Sequence, residues 1–203
     1  MALSTFVKIS NVSNLSDARY CAGMGVDQIG INLNPTDADS LPIDNFIELK
    51  GWIAGVSFVG EFGATSFEEI RSIQQKVPLD MIEISTINIV EKVHILGKPI
   101  SVSLDIWNQP LLNELKSHLS YLDELASQVV INCSNPLLYN DISQAIQFYN
   151  GPIRLIKGFD VTMETIQSPT NFKGIQLHGS QEDKPGFKDY GVMMDLLEAL
   201  EVE

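Results

Sequence analysis

The sequence predicts an α/β fold, a single compact (β/α)8 TIM barrel over residues 1–203. Three observations predict it. Eight short apolar runs recur along the chain, each separated from the next by one helical pattern or turn. That alternation implies βαβ units and a parallel sheet. Several runs carry polar residues near their C-terminal ends, where barrel strands open into a mouth. The strands of an open, doubly wound sheet are covered on both faces and read more uniformly apolar. At ~25 residues per unit the barrel leaves little room for insertions, and no linker or low-complexity tract divides the chain.

The expected strands are "FVKI" (6–9), "QIGINL" (28–33), "IAGVSFV" (53–59), "DMIEI" (80–84), "PISVSL" (99–104), "QVVIN" (128–132), "IRLIK" (153–157) and "KGIQL" (173–177). The helix after the first strand runs from Leu15 to a stop at Gly25, capped by Asn14 or Ser16. "LPIDNFIELKG" places Pro42 near a helix start and Gly51 past its end. "SFEE" has capping-box spacing, Ser66 to Glu69, ahead of Ile70, Ile73 and Val77. "INIVEKVHILG" ends at Gly97. "PLLNELKSHLSYL" carries Leu111, Leu115, Leu119 and Leu122 on one stripe. "DISQAIQFY" follows, then a short turn around "TMETI", then a last helix over "DYGVMMDLLEAL" with Asp189 as its cap.

Composition sets limits. The net charge is −13, so neither nucleic acid nor an anionic membrane is an expected partner; phosphate backbones need basic patches. No stretch of ~18 apolar residues reads as a membrane span, and the N-terminus shows no secretory signal pattern. Cys21 and Cys133 lack CxxC spacing and read as buried thiols of a reducing, cytoplasmic setting. His94, His118 and His178 lie far apart, so neither a metal site nor a cofactor is expected.

In a barrel, function sits at the C-terminal strand ends. The pleat turns Lys8 and Ser10 inward on strand one, Glu83 and Ser85 on strand four, and Ser101, Ser103 and Asp105 on strand five. It turns Val130 and Asn132 inward on strand six, and Gln176 and His178 on strand eight. Strand seven ends "LIKGFD", with Lys157, Gly158 and Asp160 around its turn. Lys8 and Glu83 read either as an ion pair filling the barrel or as site groups. Asp105 reads as a helix cap or a catalytic carboxylate. His178 is either a satisfied polar residue or a proton-transfer group. Gly158, Gly179 and Ser180 follow strands seven and eight, where small residues let backbone N–H groups approach a phosphate.

These residues resemble the phosphoribosylanthranilate isomerase family, (β/α)8 barrel enzymes of tryptophan biosynthesis, over almost the whole chain. The resemblance rests on the opening "VKISNVSNLSDARYCAGMGVDQIGINLNP" and on "GIQLHGSQEDKPGFKD" near the end. It implies an Amadori rearrangement of an aminoaldose phosphate, with a general base ending strand one and a general acid ending strand six. In the family these are a cysteine and an aspartate; here they are Ser10 and Asn132. A serine hydroxyl is a poor base at neutral pH, and an amide neither gives nor takes a proton readily. After strand four "EIST" (83–86) replaces the family's glutamine-leucine-histidine-glycine. After strand two, "NPTDADSLP" is acidic and lacks the family's arginine.

The expectation is therefore a monomeric or homodimeric barrel that binds a phosphorylated small metabolite and has lost the family's isomerase chemistry. The pocket would include Lys8, Ser85, Lys157 and Gln176. Two alternatives stay open. One is an active aldose–ketose isomerase acting on phosphoribosylanthranilate or another sugar phosphate through Asp105, Glu83 or His178, with Lys157 as a distant Schiff-base variant. The other is a non-catalytic structural or regulatory partner.

Overall fold

A computed structural model describes residues 2–166, 170–179, 182–184, 187–188 and 191–202. Eight parallel strands close into one barrel in sequence order: β1 (Phe6–Ser10), β2 (Gln28–Asn32), β3 (Ser57–Glu61), β4 (Met81–Ile84), β5 (Ile100–Asp105), β6 (Gln128–Asn132), β7 (Arg154–Lys157) and β8 (Gly174–His178). Register pairs from Phe6↔Gly174 to Ser10↔His178 shut the ring. Around it lie α1 (Leu15–Gly23), α2 (Ile43–Gly51), α3 (Phe67–Gln74), α4 (Val90–His94), α5 (Gln109–Leu122), α6 (Tyr139–Ile146) and α7 (Gly191–Ala199). Between β7 and β8 the described residues form only a turn at 163–166. Ala2–Leu3 pairs antiparallel with Glu201–Val202 and ties the chain's two ends together.

The helix ends follow local chemistry. Asn14 accepts the Asp17 N–H at 2.9 Å, and Ser66 with Glu69 makes the capping box the spacing predicts. Gly25 and Gly97 turn the chain at φ 76° and 69°, left-handed values that suit glycine. Asn108 caps α5 by accepting the Leu111 N–H, so Asp105 is not the cap. The expected cap Asp189 lies outside the described residues. The third strand starts at Ser57 and runs on to Glu61, later than the apolar run suggests, because Gly55 turns at φ 82°.

The pleat divides the side chains sharply. Outward-facing Val7, Ile9, Ile29, Ile82, Val129 and Ile131 are fully buried, packed in one cluster with helix residues such as Phe46, Leu115 and Ile142. That layer between sheet and helices is the apolar core. Truncating one of its leucines, Leu115→Ala for instance, costs roughly 2–5 kcal/mol. Barrel interiors are ordinarily filled by branched apolar residues. Here the inward positions carry Lys8, Gln28, Glu61, Glu83, Ser101 and Gln128, with only Phe6, Val59, Met81, Val130 and Ile156 as large apolar inserts. Cys21 and Cys133 are both buried. No helix among the described residues is long and apolar enough to cross a membrane.

Candidate functional site

The floor of the mouth is a charged cluster. Lys8 is fully buried in the lumen, and its Nζ donates to both carboxylate oxygens of Glu83 at 2.7 Å. The same ammonium lies 2.8 Å from Glu61 Oε1. Ser101 Oγ donates to Glu83 Oε2 at 2.6 Å, and the Asn11 N–H donates to Glu61 Oε2 at 3.0 Å. Burial pulls the Lys8 ammonium down, but the Glu61 and Glu83 carboxylates outweigh it and hold its pKa above the ordinary lysine value. Gly30 makes this geometry possible: a Cβ there would overlap the Glu61 carboxylate. One lysine thus faces two carboxylates, which leaves the cluster net negative.

Above this floor opens a cavity of about 320 Å3. Ser10, Asn32, Glu61, Glu83, Ser103 and His178 face it from the strand ends, and Asn11, Asn34, Asp37, Gly63 and Ser85 close it from the loops. The rim after β2 is rigid. Asn32 Nδ2 donates to Asp37 Oδ2 at 2.9 Å, and Asp37 Oδ1 accepts the Asp39 N–H at 3.0 Å. That backbone bond, followed by the one from Asn32, holds the Asp37 carboxyl below its ordinary pKa. The cavity wall is therefore acidic and rich in amides and hydroxyls. Lys8 lies beneath it with its ammonium already engaged.

Ser10 and Asn132 reach different surroundings. Ser10 is nearly buried at the cavity wall, beside His178 in register. Asn132 points inward at the end of β6. Its Nδ2 donates to Ser103 Oγ at 2.9 Å, and its Oδ1 accepts from Gln176 Nε2 at 3.4 Å. Gly158 packs directly on that amide; a Cβ at 158 would collide with Asn132 Oδ1. Asp105 stands next to Asn132 in register but is exposed and does not line the cavity.

The two glycines expected at a phosphate have committed amides. The Gly158 N–H donates to Ile131 O at 2.9 Å, and the Gly179 N–H donates to Ser10 O at 2.7 Å. Their missing side chains serve close packing, since a Cβ at Gly179 would sit 2.9 Å from Asn11 O. Ser180 lies outside the described residues. One step further along, the amides of Phe159, Asp160 and Val161 donate to nothing among the described residues. Asp160 has φ 47°, and a left-handed residue within a turn gathers successive N–H groups into an anion-holding concavity.

Lys157 corrects a sequence expectation. It pairs in register with Ile131 and Ile175, which point outward, so it leaves the lumen instead of lining the mouth. Its Nζ donates to Asp160 O at 2.9 Å and lies 3.6 Å from Asp160 Oδ2. It borders a separate 250 Å3 cavity with Val161, Thr165, Ile166 and Phe172. Burial lowers its pKa below the ordinary lysine value despite Asp160. Glu61 is not singled out in the sequence, and Asn34 and Asp37 appear there only as part of the acidic "NPTDADSLP" stretch. Glu61 lies beyond the apolar run that announces β3, and the acidic stretch shows the charge of the loop but not which of its residues face the cavity.

Solved structures match this chain end to end. A phosphoribosyl anthranilate isomerase from Thermotoga maritima superposes with a TM-score of 0.77 at 18% identity, covering 97% of this chain and 98% of that chain. One from Thermus thermophilus gives 0.73 at 16%, covering 96% and 98%. A phosphoribosyl anthranilate isomerase in complex with reduced 1-(o-carboxyphenylamino)-1-deoxyribulose 5-phosphate gives 0.74 at 17%, covering 97% and 98%. The fold is that of the phosphoribosylanthranilate isomerases. No family model and no curated protein matches the sequence. At such identities the likeness to the isomerases speaks for the fold, and the site has to be read from its own residues. Where the isomerase resemblance implies a base and an acid, the barrel holds a hydroxyl at Ser10 and an amide at Asn132.

Proposed function

We propose that this phosphoribosylanthranilate isomerase-like barrel binds a phosphorylated, hydroxyl-rich small metabolite at its mouth and does not carry out the isomerases' Amadori rearrangement. The observation that carries the second half is the state of Asn132. Its amide is engaged on both sides, by Ser103 and Gln176, and packed against Gly158. An amide so held has no titratable proton, and Ser10 across the mouth offers only a hydroxyl. Losing acid–base groups typically costs about 10²–10⁴-fold in rate for each group. The acidic lining of Asp37, Glu61 and Glu83 also opposes an aromatic carboxylate such as anthranilate, because like charges repel.

What supports ligand binding is a pair of features at the C-terminal strand ends, the turn after β7 and the mouth cavity. The amides of Phe159, Asp160 and Val161, which donate to nothing among the described residues, suit a phosphate. The cavity of Ser10, Asn32, Ser103 and Glu61 suits hydroxyl groups, which both donate and accept. The test is a titration of ¹⁵N-labelled protein with ribose 5-phosphate. Shifts of the 159–161 amides together with Asn11 and Ser85 support the reading; unchanged spectra at millimolar ligand remove it.

A second reading rests on one observation: Glu83 and His178 face the same cavity as Ser10. They would serve as base and acid for another sugar phosphate. Glu83 accepts from Lys8 Nζ at 2.7 Å, and His178 ends β8 on the other side of the cavity. Aldose–ketose conversion that survives both Glu83→Gln and His178→Ala would remove this reading.

A further inference from the structure

We infer that the chain carries a second anion site at the N-terminal face of the barrel, opposite the mouth, suited to a phosphomonoester or diphosphate group. A cavity of about 640 Å3 opens there beneath the starts of β1, β7 and β8. That volume is within the range of small-molecule pockets. Two cations border it, Arg154 at the first position of β7 and Lys173 just before β8, and no carboxylate is among its lining residues. Neither cation has a carboxylate within ion-pair distance among the described residues. In a chain of net charge −13 such a pairing of uncommitted cations runs against the background.

The site is also preorganised. The Arg154 guanidinium carbon lies 4.0 Å from the centre of the Phe6 ring, a cation–π contact that holds the side chain at the cavity edge. A planar fork of N–H donors matches the oxygens of a phosphate. The loop that frames the cavity is braced from behind. Tyr149 donates its hydroxyl hydrogen to Asp123 Oδ1 at 2.5 Å, and the Tyr149 hydroxyl oxygen accepts the Ile153 N–H at 3.2 Å. Burial and the Asp123 bond push the tyrosine pKa up to about 12, so it remains a donor and keeps the one carboxylate that reaches this loop occupied. Asn171 Nδ2 pins the carbonyls of Ile146 and Tyr149 at 2.7 and 2.8 Å. The amides of Asn150 and Gly151 donate to nothing among the described residues, which adds two backbone donors beside the two cations.

Barrel chemistry belongs to the opposite face, and residues at this end normally serve stability. A ligand here therefore acts at a distance from the mouth, and the site stands or falls separately from the function proposed above. The experiment is a pyrophosphate titration of the full chain followed by ¹⁵N amide shifts, repeated with Lys173→Glu and Arg154→Met. Lys173 is exposed, so its variant keeps the fold, and Met preserves the stem that covers Phe6. The expected result is a shift of Asn150, Gly151 and Lys173 that weakens roughly tenfold or more in each variant, as loss of one charge-assisted hydrogen bond implies. Shifts confined to residues 159–161 would overturn the second site while supporting the mouth reading. Shifts at Asn150 and Gly151 that persist unchanged in both variants, or no shifts at all, would also overturn it.

Discussion

Lys8 and Glu83 form a bidentate ion pair at 2.7 Å inside a barrel lumen lined largely by polar side chains. Glu61 completes the cluster from the other side. A buried pair is costly to make and costlier to break, because the survivor is left as an uncompensated charge. Lys8→Met leaves two carboxylates under the mouth without a cation. The expected loss is about 3–5 kcal/mol, read as a lower urea midpoint with unchanged slope. Adding Glu83→Gln should recover part of that loss, because one stranded charge is then removed.

The same cluster sets an alkaline limit. The folded-state pKa of Lys8 lies above its ordinary value of 10.5. Its contribution is therefore complete below the ordinary value and is lost as pH rises through the folded one. Tyr149, raised to about 12, acts in the same direction, whereas the lowered pKa of Lys157 acts in the opposite one. Urea midpoints measured on the alkaline side should fall with pH. The fall should be shallower in Lys8→Met with Glu83→Gln than in the natural chain.

Gly158 and Asn132 occupy one volume. Gly158→Ala forces its Cβ into Asn132 Oδ1, with a cost of roughly 1–3 kcal/mol for overpacking. Shortening the partner should relieve it: Gly158→Ala with Asn132→Ala should be less destabilised than the sum of the two single variants. Strict additivity in this double-mutant cycle would show that the two residues do not meet.

Gly30 makes room for the Glu61 carboxylate in the same manner. Gly30→Ala displaces Glu61 from Lys8 and from the Asn11 N–H, and Asn11 is already in a left-handed conformation at φ 56°. Stability should drop by about 1–3 kcal/mol, and binding of ribose 5-phosphate at the mouth should weaken with it. Gly23→Ala, in open space on α1, should leave both within error.

The barrel was legible because its evidence is periodic. Each of the eight runs became a strand, and the caps at Asn14 and Ser66 formed where short-range chemistry put them. The inward parity also placed Lys8, Ser10, Glu83, Asn132 and Gln176 in the lumen correctly. What the sequence hid depended on boundaries and register. Glu61 was missed because an apolar run does not show where its strand ends, and the turn at Gly55 moved β3 towards its C-terminus. Lys157 looked like a mouth residue, yet its neighbours Ile156 and Gly158 take the inward places and turn it out. The glycines drew attention as a phosphate cradle, but their amides are spent on Ile131 and Ser10. The amides without a partner among the described residues come after them, in a turn whose backbone conformation no sequence motif announces.

The central claim is that Asn132 and Ser10 leave the barrel without the isomerases' acid and base. Its most direct measurement is the consumption of freshly generated phosphoribosylanthranilate by the purified chain, followed through loss of anthranilate fluorescence. The account predicts a rate no greater than the spontaneous one, unchanged by Ser10→Ala. Turnover well above background that disappears on Ser10→Ala or Asn132→Ala would contradict it.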